Sequence, residues 1–170
     1  VSPVHDGEGQ LRFFVASRGH HADVGGTTPG SMPADSRSLA EEGIVLRCVP
    51  LVEGGRFLRE EVRAQLVAGS MPARHPDELL ADLEAQLAAN RRGSLALAEL
   101  CAREGFARVS AYMKHVQAHA ADRVRQMLAT LEPGAREFED ALDDGSVVRA
   151  RLEVSDTGLR IDFTGSAGVP

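Results

Sequence analysis

The chain has 170 residues, of which 43% are hydrophobic and 26% are charged, a composition typical of a folded domain. Its net charge of −6 argues against a nucleic-acid partner, because binding to phosphates requires a basic surface. No apolar run approaches the roughly 18 residues of a membrane span. Cys48 and Cys101 lie too far apart for a CxxC metal site, which favours reduced thiols in the cytoplasm.

Short β elements are predicted in the first third of the chain. Residues 1–10 and 11–16 form a predicted β-hairpin around a turn rich in Asp, Glu and Gly. A single helical turn is predicted at residues 35–43, where Asp or Ser caps the start and Gly ends it. The apolar run 44–52 predicts another strand, and the apolar spacing over 57–67 predicts an amphipathic helix.

Two long helices are predicted next. Apolar residues recur every three or four positions over residues 77–103 and again over 107–131, with Gly105 between them. The short break predicts that these helices pack as an antiparallel hairpin with a structural role. We expect Leu83, Leu87, Val116, Met127 and Leu128 to be buried in its seam.

The end of the chain is predicted to be β structure again. Residues 136–142, 147–154 and 159–163 alternate between apolar and polar side chains, with turns predicted at 143–145 and 156–158. The predicted fold class is therefore α+β, with β elements at both ends flanking a long helical hairpin.

Three segments follow from this order of elements. Residues 1–70 form a predicted β-rich segment, residues 71–132 the helical hairpin, and residues 133–170 a β-hairpin segment. Because the chain begins with Val1 rather than Met, we expect it to be a piece of a longer protein.

The densest group of reactive side chains lies between Phe13 and Pro33, in FFVASRGHHADVGGTTPGSMP. A buried strand is predicted at residues 13–16, and it delivers His20, His21 and Asp23 into a glycine-rich loop. Imidazole and carboxylate groups are metal ligands and general acid–base groups. Neighbouring side chains of an extended chain face opposite ways, so His20 and His21 do not easily bind one ion together, whereas His21 and Asp23 share a face. A polar loop in which one His bonds to the backbone explains the pattern equally well.

Other candidate groups have two interpretations each. Gly25 and Gly26 resemble a phosphate cradle made of backbone N–H groups, although a plain turn also accounts for them. Arg18, at the strand end, is suited to pair with a carboxylate or phosphate, or to brace the loop. His115 and His119 have the i, i+4 spacing of a helical metal site, but they lack the Glu of HExxH and are interpreted as surface residues.

The motif from Phe13 to Pro33, followed by LAEEGI, resembles the signature of the hydantoinase B/5-oxoprolinase family. That family includes the B-type subunits of N-methylhydantoinases and of acetone- and acetophenone-type carboxylases. The resemblance continues through DLEAQLAANRRG, AYMKHVQAHAADRVRQML, EFEDALDDG and IDFTGS, and so covers almost the whole chain in order.

The resemblance implies a division of labour between two parts of an enzyme. An A-type subunit or domain binds ATP and phosphorylates the substrate carbonyl, and the B part holds a divalent metal and completes the reaction. Family members have a His-Leu-Pro-Asp stretch upstream of the position of Val1, so His20 would complete a ligand set begun outside this chain. The predicted catalytic residues are Arg18, His21 and Asp23, and the predicted cofactor-binding residues are Gly25 and Gly26.

The predicted function is therefore a part in the ATP-dependent opening of a cyclic amide such as a hydantoin or 5-oxoproline, in the cytoplasm. A ketone carboxylase built from similar parts is one alternative. A non-catalytic scaffold that docks the A-type subunit is another. In each case the predicted partner is the A-type subunit. The two enzymes would also bind a small-molecule substrate.

Overall fold

The computed structural model describes residues 1–156 and 158–168, so that Thr157, within a predicted turn, lies outside the described residues. Helices and strands follow each other in the predicted order, except that a short strand at Arg56–Phe57 was not predicted. They are β1 Ser2–His5, β2 Leu11–Val15, α1 Leu39–Glu42, β3 Val52–Glu53, β4 Arg56–Phe57, α2 Arg59–Leu66, α3 Pro76–Glu104, α4 Phe106–Leu128, β5 Gly134–Ala141, β6 Val147–Ser155 and β7 Gly158–Asp162.

The predicted α+β class is confirmed, since strands at both ends flank the long helical region of α3 and α4. The chain divides into two compact units, Val1–Leu100 and Cys101–Pro170, and the boundary falls within α3. The three predicted segments and the antiparallel packing of the two helices stay predictions. None of the helices in the described ranges combines the length and apolarity needed to cross a membrane.

The N-terminal hairpin forms as predicted, because its turn has a built-in stabiliser. Strands β1 and β2 pair antiparallel, and the Asp6 carboxylate accepts hydrogen bonds from the backbone N–H groups of Glu8 and Gln10 at 2.9 Å each. The second strand is not buried, however. It ends at Val15, and Phe14 is 65% exposed, so the prediction of a buried strand is wrong.

The core of the first unit lies between α2 and α3. Val62 and Leu66, four residues apart on one face of α2, are fully buried, as is Leu80 on α3. Each such side chain contributes on the order of 1.5–3 kcal/mol. The buried cluster extends to Ala73 in the connection between the two helices, where the Ala73 N–H donates to the Leu66 carbonyl at 3.0 Å. The core therefore fixes the position of this connection.

The predicted strand at 44–52 is wrong in most of its length. Only Val52 lies in a strand, the short β3 that pairs with β4. Cys48 has a φ of 50°, which breaks an extended run. The apolar character of the segment has another cause, because the side chains of Ile44 and Leu46 pack against the core of the first unit.

The second unit contains a three-stranded antiparallel sheet in the order β5-β6-β7, with α4 before it in the chain. Glu139 and Glu137 on β5 pair with Arg149 and Arg151 on β6, at 2.6 and 2.8 Å. Val109 on α4 and Val154 on β6 are buried. Val116 and Met127 are 67% and 53% exposed, so their predicted burial is wrong.

Candidate functional site

The segment that joins β2 to the glycine-rich loop lies along α3. The Ser17 hydroxyl donates to the Gln86 carbonyl at 3.2 Å, and His21 Nδ1 lies 3.2 Å from Asp82 Oδ2. Asp82 and Gln86 share one face of α3, since they are four residues apart. Gly19 passes so close to the helix that a Cβ would lie 2.9 Å from Gln86 Nε2. The helix α3 thus supports this part of the motif.

Two of the predicted site residues present their side chains to solvent. Arg18 and His20 are both exposed, whereas the His21 side chain is 20% exposed. Arg18 therefore has room to pair with an anionic group, and the His20 imidazole is open to a ligand. Their predicted catalytic and metal-binding roles stay predictions.

His21 and Asp82 have the geometry of an oriented histidine. With Nδ1 protonated, the ring donates a hydrogen bond to the carboxylate, and Nε2 keeps its lone pair. That arrangement fixes the ring and leaves one nitrogen able to accept a proton. The catalytic role predicted for His21 requires such a nitrogen.

Asp23 is the buried acid of the loop, with 8% of its surface exposed. Arg74 donates to it twice, from Nη1 to Oδ1 at 2.6 Å and from the backbone N–H to Oδ2 at 2.8 Å. The same guanidinium donates from Nη2 to the Gly26 carbonyl at 2.6 Å and from Nη1 to the Gly25 carbonyl at 3.4 Å. One arginine therefore neutralises the carboxylate and binds two consecutive carbonyls of the loop.

These bonds hold Asp23 in its ionised form. Burial alone works to raise the pKa of its carboxyl group. The hydrogen bonds from the Arg74 amide and guanidinium, from Ser31 and from the Gly25 amide outweigh that effect, and the pKa of Asp23 lies below the usual aspartate value. An ionised carboxylate with its oxygens occupied in this way serves as an anchor for the loop. The predicted catalytic role of Asp23 stays a prediction.

Gly25 and Gly26 are required by contacts as well as by backbone conformation. Their φ angles are 88° and 86°, and a Cβ would lie 2.3 Å from the Met71 carbonyl oxygen on Gly25 and 2.5 Å from the Glu41 carbonyl oxygen on Gly26. The N–H groups of Gly26 and Thr27 donate to these same carbonyls, at 3.2 and 2.8 Å. An anion would have to displace them. The predicted cofactor-binding role of the two glycines stays a prediction.

A surface depression of about 340 Å³ lies beside the loop. Asp23 and Ala22 line it from the loop, and Asp82, Glu78 and His75 line it from α3 and the residue before it. The depression lies within the first unit. It brings the buried acid and the partner of His21 to the same surface.

The side chains described here do not complete a metal site by themselves. His20 is a suitable ligand, but the Asp23 oxygens accept hydrogen bonds from Arg74, whose positive charge opposes a cation there. Among the described residues, no group of three or more His, Cys, Asp or Glu side chains could hold a metal ion. An ion bound to His20 therefore needs further ligands from elsewhere in the protein.

Sequence reasoning missed two residues that position the motif. Arg74 lies between the predicted helices 57–67 and 77–103, and Asp82 lies within the second of them. Their partners Asp23 and His21 are 51 and 61 residues away in the chain. No local pattern marks either pair.

The family model for Hydantoinase B/oxoprolinase matches residues 1–169. Among curated proteins, 5-oxoprolinase 1 of Arabidopsis thaliana is 40% identical, and the alignment covers 98% of this chain and 15% of that protein. The delta subunit of acetophenone carboxylase from Aromatoleum aromaticum is 33% identical over 81% of this chain and 18% of that subunit.

A solved structure shares the fold. The ATP-dependent caprolactamase of Pseudomonas jessenii matches with a TM-score of 0.69 and 26% identity, over 82% of this chain and 24% of that one. The chain thus spans only a small part of the length of each relative. Because the family model covers nearly every residue, the chain belongs to the hydantoinase B/oxoprolinase family.

Proposed function

We propose that the chain is part of the B-type subunit or domain of an ATP-dependent amidohydrolase that opens a cyclic amide of the hydantoin or 5-oxoproline type. The observation that carries the proposal is its likeness in fold and sequence to an ATP-dependent caprolactamase, since a lactam is a cyclic amide. The 40% identity with a 5-oxoprolinase supports the same class of substrate.

Three side chains of the motif have a role in this proposal. His20 is a ligand of a divalent metal, together with groups outside this chain. Arg18 binds the carboxylate or phosphate of the substrate, because a guanidinium pairs with either through two parallel hydrogen bonds. His21, oriented by Asp82, accepts or donates a proton at Nε2. When bound, a divalent metal polarises a carbonyl oxygen or activates water.

The proposed partner is an A-type subunit or domain that binds ATP, and the proposed compartment is the cytoplasm. Cys48 and Cys101 are both free, which agrees with a reducing compartment. The net charge of −6 gives no support to a nucleic-acid partner. The proposed substrate is a small cyclic amide, as the caprolactamase and 5-oxoprolinase relatives suggest.

The test is His20→Ala in the full-length protein with its A-type partner. Elemental analysis should show loss of bound metal, and ATP-dependent ring opening should fall by roughly 100-fold or more, as expected when a catalytic metal is lost. His119→Ala is the matched control, because His119 is an exposed histidine on α4. Unchanged metal content in the His20 variant would contradict the proposed ligand role.

A ketone carboxylase is the second candidate, and the acetophenone carboxylase relative is the observation that favours it. The two chemistries separate in one assay of the complete enzyme with ATP. The amidohydrolase consumes 5-oxoproline or a hydantoin, whereas the carboxylase consumes a ketone only when bicarbonate is present. Binding of the A-type partner with neither activity would indicate a scaffold.

A further inference from the structure

We propose that Arg74 is a positioning residue of this site, which fixes the glycine-rich loop and through it the places of His20 and His21. The chemistry assigned to those histidines rests on the proposed function. The geometry that assigns the positioning role to Arg74 does not.

Arg74 is itself held by the core. It follows Ala73, which is 5% exposed and whose N–H donates to the Leu66 carbonyl at the end of α2. Leu66 is 1% exposed and belongs to the main buried cluster. The backbone of Arg74 therefore has a fixed place relative to α2 and α3.

The guanidinium binds the loop and so holds it in a fixed position relative to the core. It neutralises the buried Asp23 and donates to the carbonyls of Gly25 and Gly26, while the backbone N–H of Arg74 makes a second hydrogen bond to Asp23. Four donated hydrogen bonds from one residue restrain three loop residues. The planar, forked guanidinium is suited to this, because it reaches several acceptors at once and stays charged.

His20 lies midway between two attachment points. Three residues before it, Ser17 bonds to Gln86 on α3; three residues after it, Asp23 bonds to Arg74. His21 also contacts the half-exposed Asp82, so release of Asp23 would leave that single contact as the attachment after His20, and the imidazole would shift rather than move freely. A catalytic side chain loses activity even when it moves by a small distance. A loosened loop should therefore lower the turnover number more than substrate affinity.

The experiment is Arg74→Lys in the full-length protein with its A-type partner. Lysine keeps the positive charge beside Asp23 but cannot bond to the carboxylate and both carbonyls together. Hydrogen exchange at the Gly26 and Thr27 amides, which donate to the Met71 and Glu41 carbonyls, should accelerate roughly 10- to 100-fold. The kcat for ring opening should fall at least about tenfold with KM changed by less than about threefold. Arg63→Lys, which alters a surface pair with Asp77, is the matched control and should change none of these.

Several outcomes would overturn the proposal. Exchange at wild-type rates would show that the guanidinium does not hold the loop. Faster exchange with kcat unchanged would mean that Arg74 stabilises the fold without positioning the site. If the wild-type enzyme opens no cyclic amide, the proposed function fails separately, and exchange at Gly26 and Thr27 alone decides whether Arg74 holds the loop.

A second variant covers the case in which Arg74→Lys does not fold. Asp23→Asn removes the charge and leaves both loop carbonyls in place for the guanidinium. It should accelerate exchange at Gly26 and Thr27 by a smaller factor while the amides of α2 keep their protection. Equal hydrogen-exchange rates in this variant and the wild type would contradict the proposed positioning role of Arg74.

Discussion

The same dipeptide, Gly-Gly, occurs twice in the first unit under opposite constraints. Gly25 and Gly26 have φ angles of 88° and 86°, and Gly54 and Gly55 have φ angles of 57° and 81°. A Cβ on either residue of the first pair would lie within 2.5 Å of a backbone carbonyl oxygen. A Cβ on either residue of the second pair would meet no atom within 4 Å.

The difference teaches that a shared conformation does not imply a shared role. The turn between β3 and β4 needs glycine only for its backbone angles. The loop at Gly25 needs glycine because two other parts of the chain, at Met71 and Glu41, lie directly against it. The first pair is thus a packed junction and the second an open turn.

The largest effect should come from Gly25→Ala. The new methyl group would overlap the Met71 carbonyl, which belongs to the backbone and cannot rotate away. Overpacking added to left-handed strain should lower the free energy of unfolding by roughly 2–5 kcal/mol. Urea denaturation followed by far-UV circular dichroism measures this. Gly55→Ala, with strain alone, should cost about 1–2 kcal/mol, and equal losses in the two variants would remove the distinction.

Asp23→Ala tests how much the ion pair of Asp23 with Arg74 contributes to the packed junction. It leaves the Arg74 guanidinium without its carboxylate and should cost about 1–3 kcal/mol, since Arg74 is partly solvated. Asp82→Ala is the matched control, because Asp82 is a half-exposed acid on α3. Its effect should stay within about 0.5 kcal/mol in the same denaturation assay. A larger loss of stability in Asp82→Ala than in Asp23→Ala would mean that the loop is held mainly by its contact with α3.

Acid should weaken the packed junction. The pKa of Asp23 is lowered in the folded protein by hydrogen bonds from Arg74, Ser31 and Gly25 that outweigh the opposing effect of burial. Its stabilising contribution is therefore complete above the ordinary aspartate pKa and is lost as the pH falls through the lowered one. The stability difference between wild type and Asp23→Asn should shrink over that acidic range. A difference independent of pH would contradict this assignment.

The smallest effect should be that of Gly55→Asn. Asparagine adopts left-handed angles more readily than other residues with a side chain, so the free energy of unfolding should change by less than about 1 kcal/mol. Gly25→Asn should be as damaging as Gly25→Ala, because its cost comes from the methylene group against Met71. Thermal melting of the four variants at Gly25 and Gly55 separates the cost of backbone strain from the cost of steric overlap.

Local periodicity in the sequence determined most of the secondary structure. Apolar spacing of three to four predicted α2, α3 and α4, and alternation predicted β5 to β7, since each pattern reflects a face that the element itself creates. The motif around His20 and Asp23 also identified the family, which the comparisons confirmed. These features depend on residues that are close together in the sequence.

Tertiary structure alone decided how the motif is held. The apolar run 44–52 looks like a strand, but it packs against the core without strand pairing over most of its length. Gly25-Gly26 and Gly54-Gly55 are indistinguishable as sequence, and only the approach of Met71 and Glu41 separates them. Arg74 meets Asp23 across 51 residues. Chain folding brings such groups together, and at that separation neither side chain alters the local pattern around the other.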